Sequence, residues 1–409
     1  MNDKSQNFFL HADGDSFFVA CELVEHPEYK GLPVVVGEDR GIAVAMSHEA
    51  KKLGVTRGMP VFRIKKDFPQ VIILSHHFDL YQRISKGVYE ILLSYLEEVE
   101  QYSVDECFAV VKLSDIKLAG SAEKLLGDIK DDIQNKLGVT FSMGLARTKA
   151  LAKTASKLEK PNGMVLLMNQ IDEENALRAT QIDDIWGIGR QSVPRLRNMG
   201  IKTGYDFIMY SSDQIEKHFN EPLFVLQKEL SGESFYNVDS DSDPRDQKSI
   251  QSTATFKPSS SDPQIIFAEM SENVERACER ARKLELMTNH VSFFVKNIKF
   301  IHHSGDAHLP LYTTDPSIIL DAIELIFYKT LVADEKIRST GITLHNLRRD
   351  EDVPQDLFGI QKKADTKNVV EIVADQIKRK FGHNILKRAS SLRGTSRQRS
   401  NSFPGKGGV

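Results

Sequence analysis

The 409-residue sequence predicts an α+β protein of several domains. Three features lead there. Short apolar runs alternate with helical stretches from "NFFLHADGD" to "GMVLLM"; residues 170–235 read as helical throughout; and after the polar segment "NVDSDSDPRDQKSI" a new order begins, strand, helix, strands, helix, strand. About two to four domains are expected at this length, because single cores rarely grow much beyond about 250 residues.

Taken in order, "NFFLHADGDSFF" is an apolar strand that ends on Asp13, Gly14 and Asp15. Ser16 is placed to cap a helix beginning "FFVACEL", whose first-turn N–H groups suit an anion. "GLPVVVGEDRGIAVAMSHEAKKLGV" gives two strands and a helix ending at Gly54, a small subdomain between two acidic clusters. The second cluster, Asp105 and Glu106 of "SVDE", interrupts "VEQYSVDECFAVVKL", which has the β-branched and aromatic content of a half-buried strand pair. "IDDIWGIGRQSVPRLRNMGIKTGYDFIM" reads as two helices joined by a tight glycine turn, and residues 237–247 as a linker. Beyond it, strands "QSTATF", "VSFFVKNIKFI" and "IRSTGITLHNL" alternate with helices at "PQIIFAEMSENVERACERARKLE" and "PSIILDAIELIFYKTLV". A compact sheet with helices on one face follows from that order. No internal repeat is evident.

Composition excludes more than it identifies. The chain is 40% apolar and 27% charged with a formal net charge of −3, so a nucleic-acid surface has to be a local patch. No acidic residue follows Asp375, while the tail carries Lys378, Arg379, Lys380, Lys387, Arg388, Arg393, Arg397 and Arg399; this suits either phosphate contact or a solvated, disordered terminus. Cys21, Cys107 and Cys278 make neither a disulfide framework nor a zinc spacing and fit a reducing compartment. No apolar run approaches the roughly 20 residues of a membrane span, and "MNDKSQ" does not open a secretory signal; a cytoplasmic location and no membrane partner are expected.

The acidic clusters carry the chemistry. Asp13, Asp105 and Glu106, if drawn together, repel, and each unit of pKa rise costs about 1.4 kcal/mol. A divalent cation removes that cost, and hard carboxylate oxygens favour Mg²⁺, or Mn²⁺, over zinc. His11, two residues from Asp13 in the strand, is expected to pack or bond locally. Two such ions about 4 Å apart suit in-line phosphoryl displacement, so the cluster points to nucleotidyl transfer. His48, Lys51 and Lys160 are further phosphate candidates, each otherwise a solvated surface group; the glycines of "WGIG", Gly187 and Gly189, can offer backbone amides to a DNA phosphate or simply end helices.

"DGDSFF", "SVDE", "EAKKLGV", "KPNG", "WGIG" and "QKSIQSTATF", in this order over about residues 5–350, resemble the Y-family, or lesion-bypass, DNA polymerases. The resemblance implies a right-hand architecture: palm at 1–20 and 78–167, fingers at 21–77, thumb with a helix-hairpin-helix at 168–236, linker at 237–245, little finger at 246–349 and a C-terminal tail at 350–409. It implies error-prone translesion synthesis, with Asp13, Asp105, Glu106 and the Gly14 carbonyl holding two Mg²⁺ ions. Phe18 would be the steric gate against ribose, Phe17 would line the nucleotide pocket, and His48, Lys51 and Lys160 would meet the triphosphate. This chain has His48 where the family usually has Tyr, and Lys51 where it often has Arg, so the phosphate contacts lose strength and the bidentate fork.

The tail is similar to that of the catalytic subunit of DNA polymerase V and its Gram-positive and mobile-element relatives. "PQDLFG", with Gln355, Leu357 and Phe358, resembles a sliding-clamp peptide and otherwise reads as a polar turn. Primer-template DNA, dNTPs, a sliding clamp and SOS accessory proteins are the implied partners. Two other readings compete: a catalytically weak DNA-binding accessory of the damage response, which has no need of clustered carboxylates, and a palm-type nucleotide cyclase, which predicts no "WGIG" segment or second α/β domain.

Overall fold

The computed structural model describes residues 7–38, 41–240, 245–353 and, beyond these, 371–378, 380–382, 385–386, 388–392 and 394. They form two compact units that divide between residues 241 and 242.

The first unit is built on a five-stranded sheet. Strand β1 (Phe8–Gly14) leads into α1 (Phe17–Glu25). Next, β2 (Val34–Val36), β3 (Ala45–Met46), α2 (His48–Lys52), α3 (Val61–Asp67) and β4 (Ile72–Leu74) make a small layer in which β2 pairs antiparallel with β3 and parallel with β4. Helix α4 (Phe78–Tyr95) returns the chain to the main sheet through β5 (Val99–Gln101) and β6 (Glu106–Val111). Helices α5 (Leu113–Ala119) and α6 (Ala122–Leu137), strand β7 (Phe141–Ala146), helix α7 (Lys149–Leu158) and strand β8 (Met164–Leu166) complete it in the order β5-β6-β1-β7-β8.

All seven residues of β1 are buried, and their alternation sorts them onto two faces. Phe8, Leu10 and Ala12 share a core with Leu80, Ile84, Val88 and Leu92 of α4 and with Leu126 and Ile129 of α6. Phe9 packs with Ala150, Leu151 and Ala155 of α7 on the other face. Parity therefore carries His11 and Asp13 to the α7 side. Helix α7 lies unusually close there, because a Cβ on Gly144 of β7 would stand 2.2 Å from the Ala152 carbonyl oxygen. Only glycine permits that approach.

Helices α8 (Gln170–Ala179), α9 (Ser192–Asn198), α10 (Gly204–Met209), α11 (Ser212–His218) and α12 (Glu221–Leu230) follow, with Leu177, Leu196, Phe207, Ile215 and Leu226 packed into the α7 core. "WGIG" is the turn between a 3₁₀ segment at Ile182–Asp184 and α9. Gly187 has φ +88°, and it and Gly189 are exposed on either side of buried Ile188.

In the second unit β9 (Ile250–Ser260), α13 (Pro263–Lys283), β10 (Leu286–Asn297), β11 (His302–Thr313), α14 (Pro316–Thr330) and β12 (Ile337–His345) form an antiparallel sheet, β11-β10-β12-β9, with a short β13 (Arg348–Arg349) on β10. Val291, Phe293 and Val295 of β10 and Ile342 and Leu344 of β12 meet Met270, Val274, Ala277, Ile319, Ile323 and Phe327 of the two helices. The alternate residues form the open face of the sheet.

Three expectations are corrected. Strand β11 is absent from the sequence reading: its polar residues, Gly305 and Pro310 resemble a loop, yet an edge strand buries only one side and tolerates proline. "NIKFI" is not the end of a strand; β10 stops at Asn297, and the Asn297 side-chain oxygen accepts from the Lys299 and Ile301 amides, closing a turn. In the tail, Lys378 pairs with Glu275 at 3.6 Å, Asp375 accepts from Arg282 at 2.7 Å and Arg388 pairs with Glu371, so these charges are internal rather than offered to phosphate.

Candidate active site

Asp13 lies directly opposite Glu106 where β1 pairs with β6, and the Gly14 amide donates to the Asp105 carbonyl at 2.8 Å. The "SVDE" turn thus closes on the end of β1. A lysine meets each facing carboxylate: Lys160 pairs with Asp13, and Lys153 Nζ stands 3.0 Å from Glu106. His11 Nε2 lies 3.9 Å from Glu106 Oε1 with no hydrogen-bond partner of its own, while its Nδ1 bonds Ser156 Oγ at 2.7 Å. One ligand atom each from His11, Asp13 and Glu106 lie within 4.8 Å of one another. Asp105 stays outside that group; its Oδ1 accepts from Ser103 Oγ at 2.6 Å.

Burial pushes the Asp13 carboxyl above its ordinary range; Lys160 opposes this, and Glu106 and Asp105 reinforce it. His11 is held well below its ordinary value by burial first and then by Lys153, Lys160, Lys157 and Lys149, so it is a neutral imidazole. Facing, partly desolvated carboxylates paired with lysine ammonium groups are a donor set suited to a hard divalent cation.

Asp15 has a different task. It accepts from Ser142 Oγ at 2.7 Å and from the Asn162 amide at 2.8 Å, which ties the "KPNG" turn, and with it Lys160, to the end of β1. Lys130 fastens the same turn through the Gly163 carbonyl at 2.9 Å. The expected Ser16 side-chain cap is not made: Ser16 is left-handed at φ 48° and no side-chain bond closes the helix end.

Lys153 and Lys149 escaped the sequence reading. On α7 they lie one turn apart, both buried, with Lys153 4.6 Å from the Tyr102 ring centroid and 5.4 Å from that of Trp186. Lys149 pairs with Glu100 at 2.7 Å and lies over Phe108. The available signal is "KALAKTASK", lysines at i, i+4 and i+8 between alanines, which alone reads as a solvated helix face. Trp186 of the "WGIG" turn packs edge-on against Tyr102 at 5.9 Å and Tyr236 at 5.5 Å.

Phe17 and Phe18 separate. Phe17 is 3% exposed and packs on Phe141 in the core, so its ring does not line an open pocket as expected. A Cβ on Gly14 would stand 2.8 Å from that ring, which is why glycine follows Asp13. Phe18 is half-buried and stacks on Tyr81 at 4.5 Å and 13°. Tyr81 donates its hydroxyl to buried Glu22, which also accepts from the His77 amide at 3.2 Å.

His48 and Lys51 stand exposed on α2 and, among the described residues, enter no side-chain hydrogen bond or ion pair with the acidic group. Gln355, Leu357 and Phe358 lie outside the described residues. Among the described residues no helix is long and apolar enough to cross a membrane.

Known proteins resemble this chain along most of its length. The profile of the impB/mucB/samB family matches residues 12–157, and that of the impB/mucB/samB family C-terminal domain matches residues 247–357. DNA polymerase IV of Desulfatibacillum aliphaticivorans is 31% identical over 389 residues, 94% of this chain and 97% of the relative. DNA polymerase IV of Streptococcus pyogenes serotype M3 is 32% identical over 354 residues, 85% and 95%. Among solved structures, the Y-family DNA polymerase chimera Dbh-Dpo4(243-245)-Dbh shares the fold with a TM-score of 0.72 at 24% identity, over 84% of this chain and 99% of that one. The insertion ternary complex of Dbh DNA polymerase matches with a TM-score of 0.55 at 23% identity, over the same shares. Closeness to the catalytic subunit of DNA polymerase V gains no support from these relatives. The chain belongs to the Y-family of DNA polymerases.

Proposed function

We propose that this chain is a template-directed DNA polymerase that adds dNTPs to a primer 3′-hydroxyl and copies past damaged bases. The observation that carries the reading is the register of Asp13 against Glu106, with Asp105 in the turn beside them and a lysine on each facing carboxylate.

In this reading Asp13, Asp105, Glu106 and the Gly14 carbonyl hold two Mg²⁺ ions, with Mn²⁺ able to substitute. Bound there, such ions stabilise charge on the attacking and leaving oxygens of an in-line displacement. The protein's own groups do the rest. Lys153 stays buried beside Glu106 and offsets its charge. Lys160, at the surface on its tethered turn, would be free to leave Asp13 for a triphosphate oxygen once a cation was held there. Neutral His11, tied to Ser156, fills the floor of the site and adds no charge. His48 and Lys51 approach the same phosphates from α2, and Phe18, braced on Tyr81, stacks below the sugar.

The main sheet then serves as palm, the β2–β4 layer as fingers, the helices after β8 as thumb and the second unit as little finger. The exposed Gly187 and Gly189 amides meet a DNA phosphate without reading bases. A sliding clamp at Gln355, Leu357 and Phe358, SOS accessory proteins and a cytoplasmic setting belong to the same proposal. An accessory without catalysis is disfavoured, because a binding module gains nothing from buried, mutually repelling carboxylates. Primer extension on undamaged and damaged templates separates the two: nucleotide addition is expected, and binding without addition would favour the accessory.

A further inference from the structure

The open face of the second unit carries a row of imidazoles. His290 of β10 is directly opposite His308 of β11 and, on its other side, His345 of β12. The His290 and His308 rings stack at 4.1 Å and 7°, and Asp306 Oδ2 reaches to 3.8 Å from His290 Nε2. One ligand atom each from His290, Asp306 and His308 lie within 4.8 Å of one another. His345 stands behind the pair at 5.1 Å with Nε2 bonded to Ser292 Oγ at 2.7 Å, so that nitrogen is already engaged.

We propose that His290, His308 and Asp306 form a second metal site, for a late transition ion such as Zn²⁺, chemically distinct from the carboxylate cluster of the first unit. Two imidazoles and one carboxylate are borderline-soft donors that favour zinc and its neighbours over magnesium. Zinc takes nitrogen and oxygen at about 2.0–2.2 Å, so ligand atoms on one ion lie at most about 4 Å apart. Closing the present spacing turns one imidazole out of the parallel stack, so that both ring nitrogens face a common ion. Asp306 is 65% exposed and His308 is exposed too, so both have room to turn toward His290. The backbone does not have to move, because hydrogen-bonded strands fix the two histidines opposite each other. Three protein donors leave a fourth position open to solvent for water or an anion oxygen. The bound ion changes the formal charge of the trio from −1 to +1.

The test is calorimetric titration of the full chain with Zn²⁺ in excess Mg²⁺, which occupies the carboxylate cluster and leaves imidazoles free. His308→Ala and Asp306→Asn are titrated beside the parent, and Co²⁺ replaces Zn²⁺ in a parallel spectrum. The parent should bind one Zn²⁺ that His308→Ala loses by about 100-fold or more, since even outer partners of a metal site are worth about 10–100-fold. Asp306→Asn, at an exposed position, should keep its fold and bind Zn²⁺ at least about tenfold more weakly. Visible Co²⁺ bands should appear with the parent and fade in both variants. Equal Zn²⁺ affinity and stoichiometry in parent and variants, or no Zn²⁺ bound by the parent, overturns the proposal. Primer extension by the parent with Mg²⁺ alone does not involve this site, so its failure would count against the polymerase reading and not against this one.

Discussion

Asp13 and Glu106 face each other across paired strands, and each carries a lysine from the same side of the sheet, Lys160 from the "KPNG" turn and Lys153 from α7. The lysines offset a repulsion that the backbone enforces. Lys160 is 32% exposed and able to leave, whereas Lys153 is 6% exposed and fixed.

Asp13→Asn should stabilise the metal-free protein while abolishing activity. The folded pKa of Asp13 lies above its unfolded value, chiefly from burial. A raised carboxyl favours the folded state at low pH, and that advantage disappears as pH rises through the folded pKa. At neutral pH the ionised carboxylate therefore costs stability, and asparagine removes the cost, while Lys160 turns to water. Urea unfolding in a chelator should show a gain on the order of 1 kcal/mol at neutral pH, shrinking toward acid. A loss at neutral pH would mean that the Lys160 pair outweighs burial.

Lys149→Met should destabilise by about 3–5 kcal/mol, because it leaves Glu100 buried and without its cation. The double variant Lys149→Met, Glu100→Met should recover most of that loss, since an apolar pair carries no desolvation penalty. Thermal melts of the two variants decide it; equal losses would place the effect in packing instead of charge.

Phe18→Ala should admit ribonucleotides. A ring under the sugar clashes with a 2′-hydroxyl and leaves it unpaired; at about 1–3 kcal/mol for each effect, discrimination is roughly 10² to 10⁴. Single-nucleotide incorporation of rNTP against dNTP should show most of that ratio lost and deoxynucleotide activity largely kept. An unchanged ratio would make Phe18 solely a packing partner of Tyr81.

Replacing Gln355, Leu357 and Phe358 by alanine should remove stimulation by the cognate sliding clamp and leave basal synthesis intact. A contact of about −8 kcal/mol, roughly micromolar, is enough when both proteins share one DNA. Undiminished stimulation of the variant would exclude the peptide.

Much of the fold is legible because local pattern and tertiary need agree. "NFFLHADG" alternates between two cores, and in "PQIIFAEMSENVERACERARK" Ile266, Met270, Val274, Ala277 and Ala281 recur at helical spacing, so each segment declares its type and the side that meets the apolar core. Strand β11 hides because an edge strand needs only half of its pattern, and Gly305 and Pro310 imitate a loop. At the site, the carboxylates are legible because charge in an apolar strand needs a reason. Lys153 is not, because its burial follows from the approach of α7 over Gly144, which is a tertiary contact. "FF" likewise does not say which ring enters the core; the helix direction after left-handed Ser16 sends Phe17 inward and leaves Phe18 on Tyr81.

The carboxylates at the end of β1 and in the "SVDE" turn are proposed to perform nucleotide addition. Primer extension with Mg²⁺, run beside a DNA-binding measurement on the parent, Asp105→Ala and Glu106→Ala, tests it most directly. Both variants should bind primer-template much as the parent does and lose at least about 10²–10³ in turnover, because the removed charge acts mainly in the transition state. Near-normal turnover by either variant would contradict the assignment.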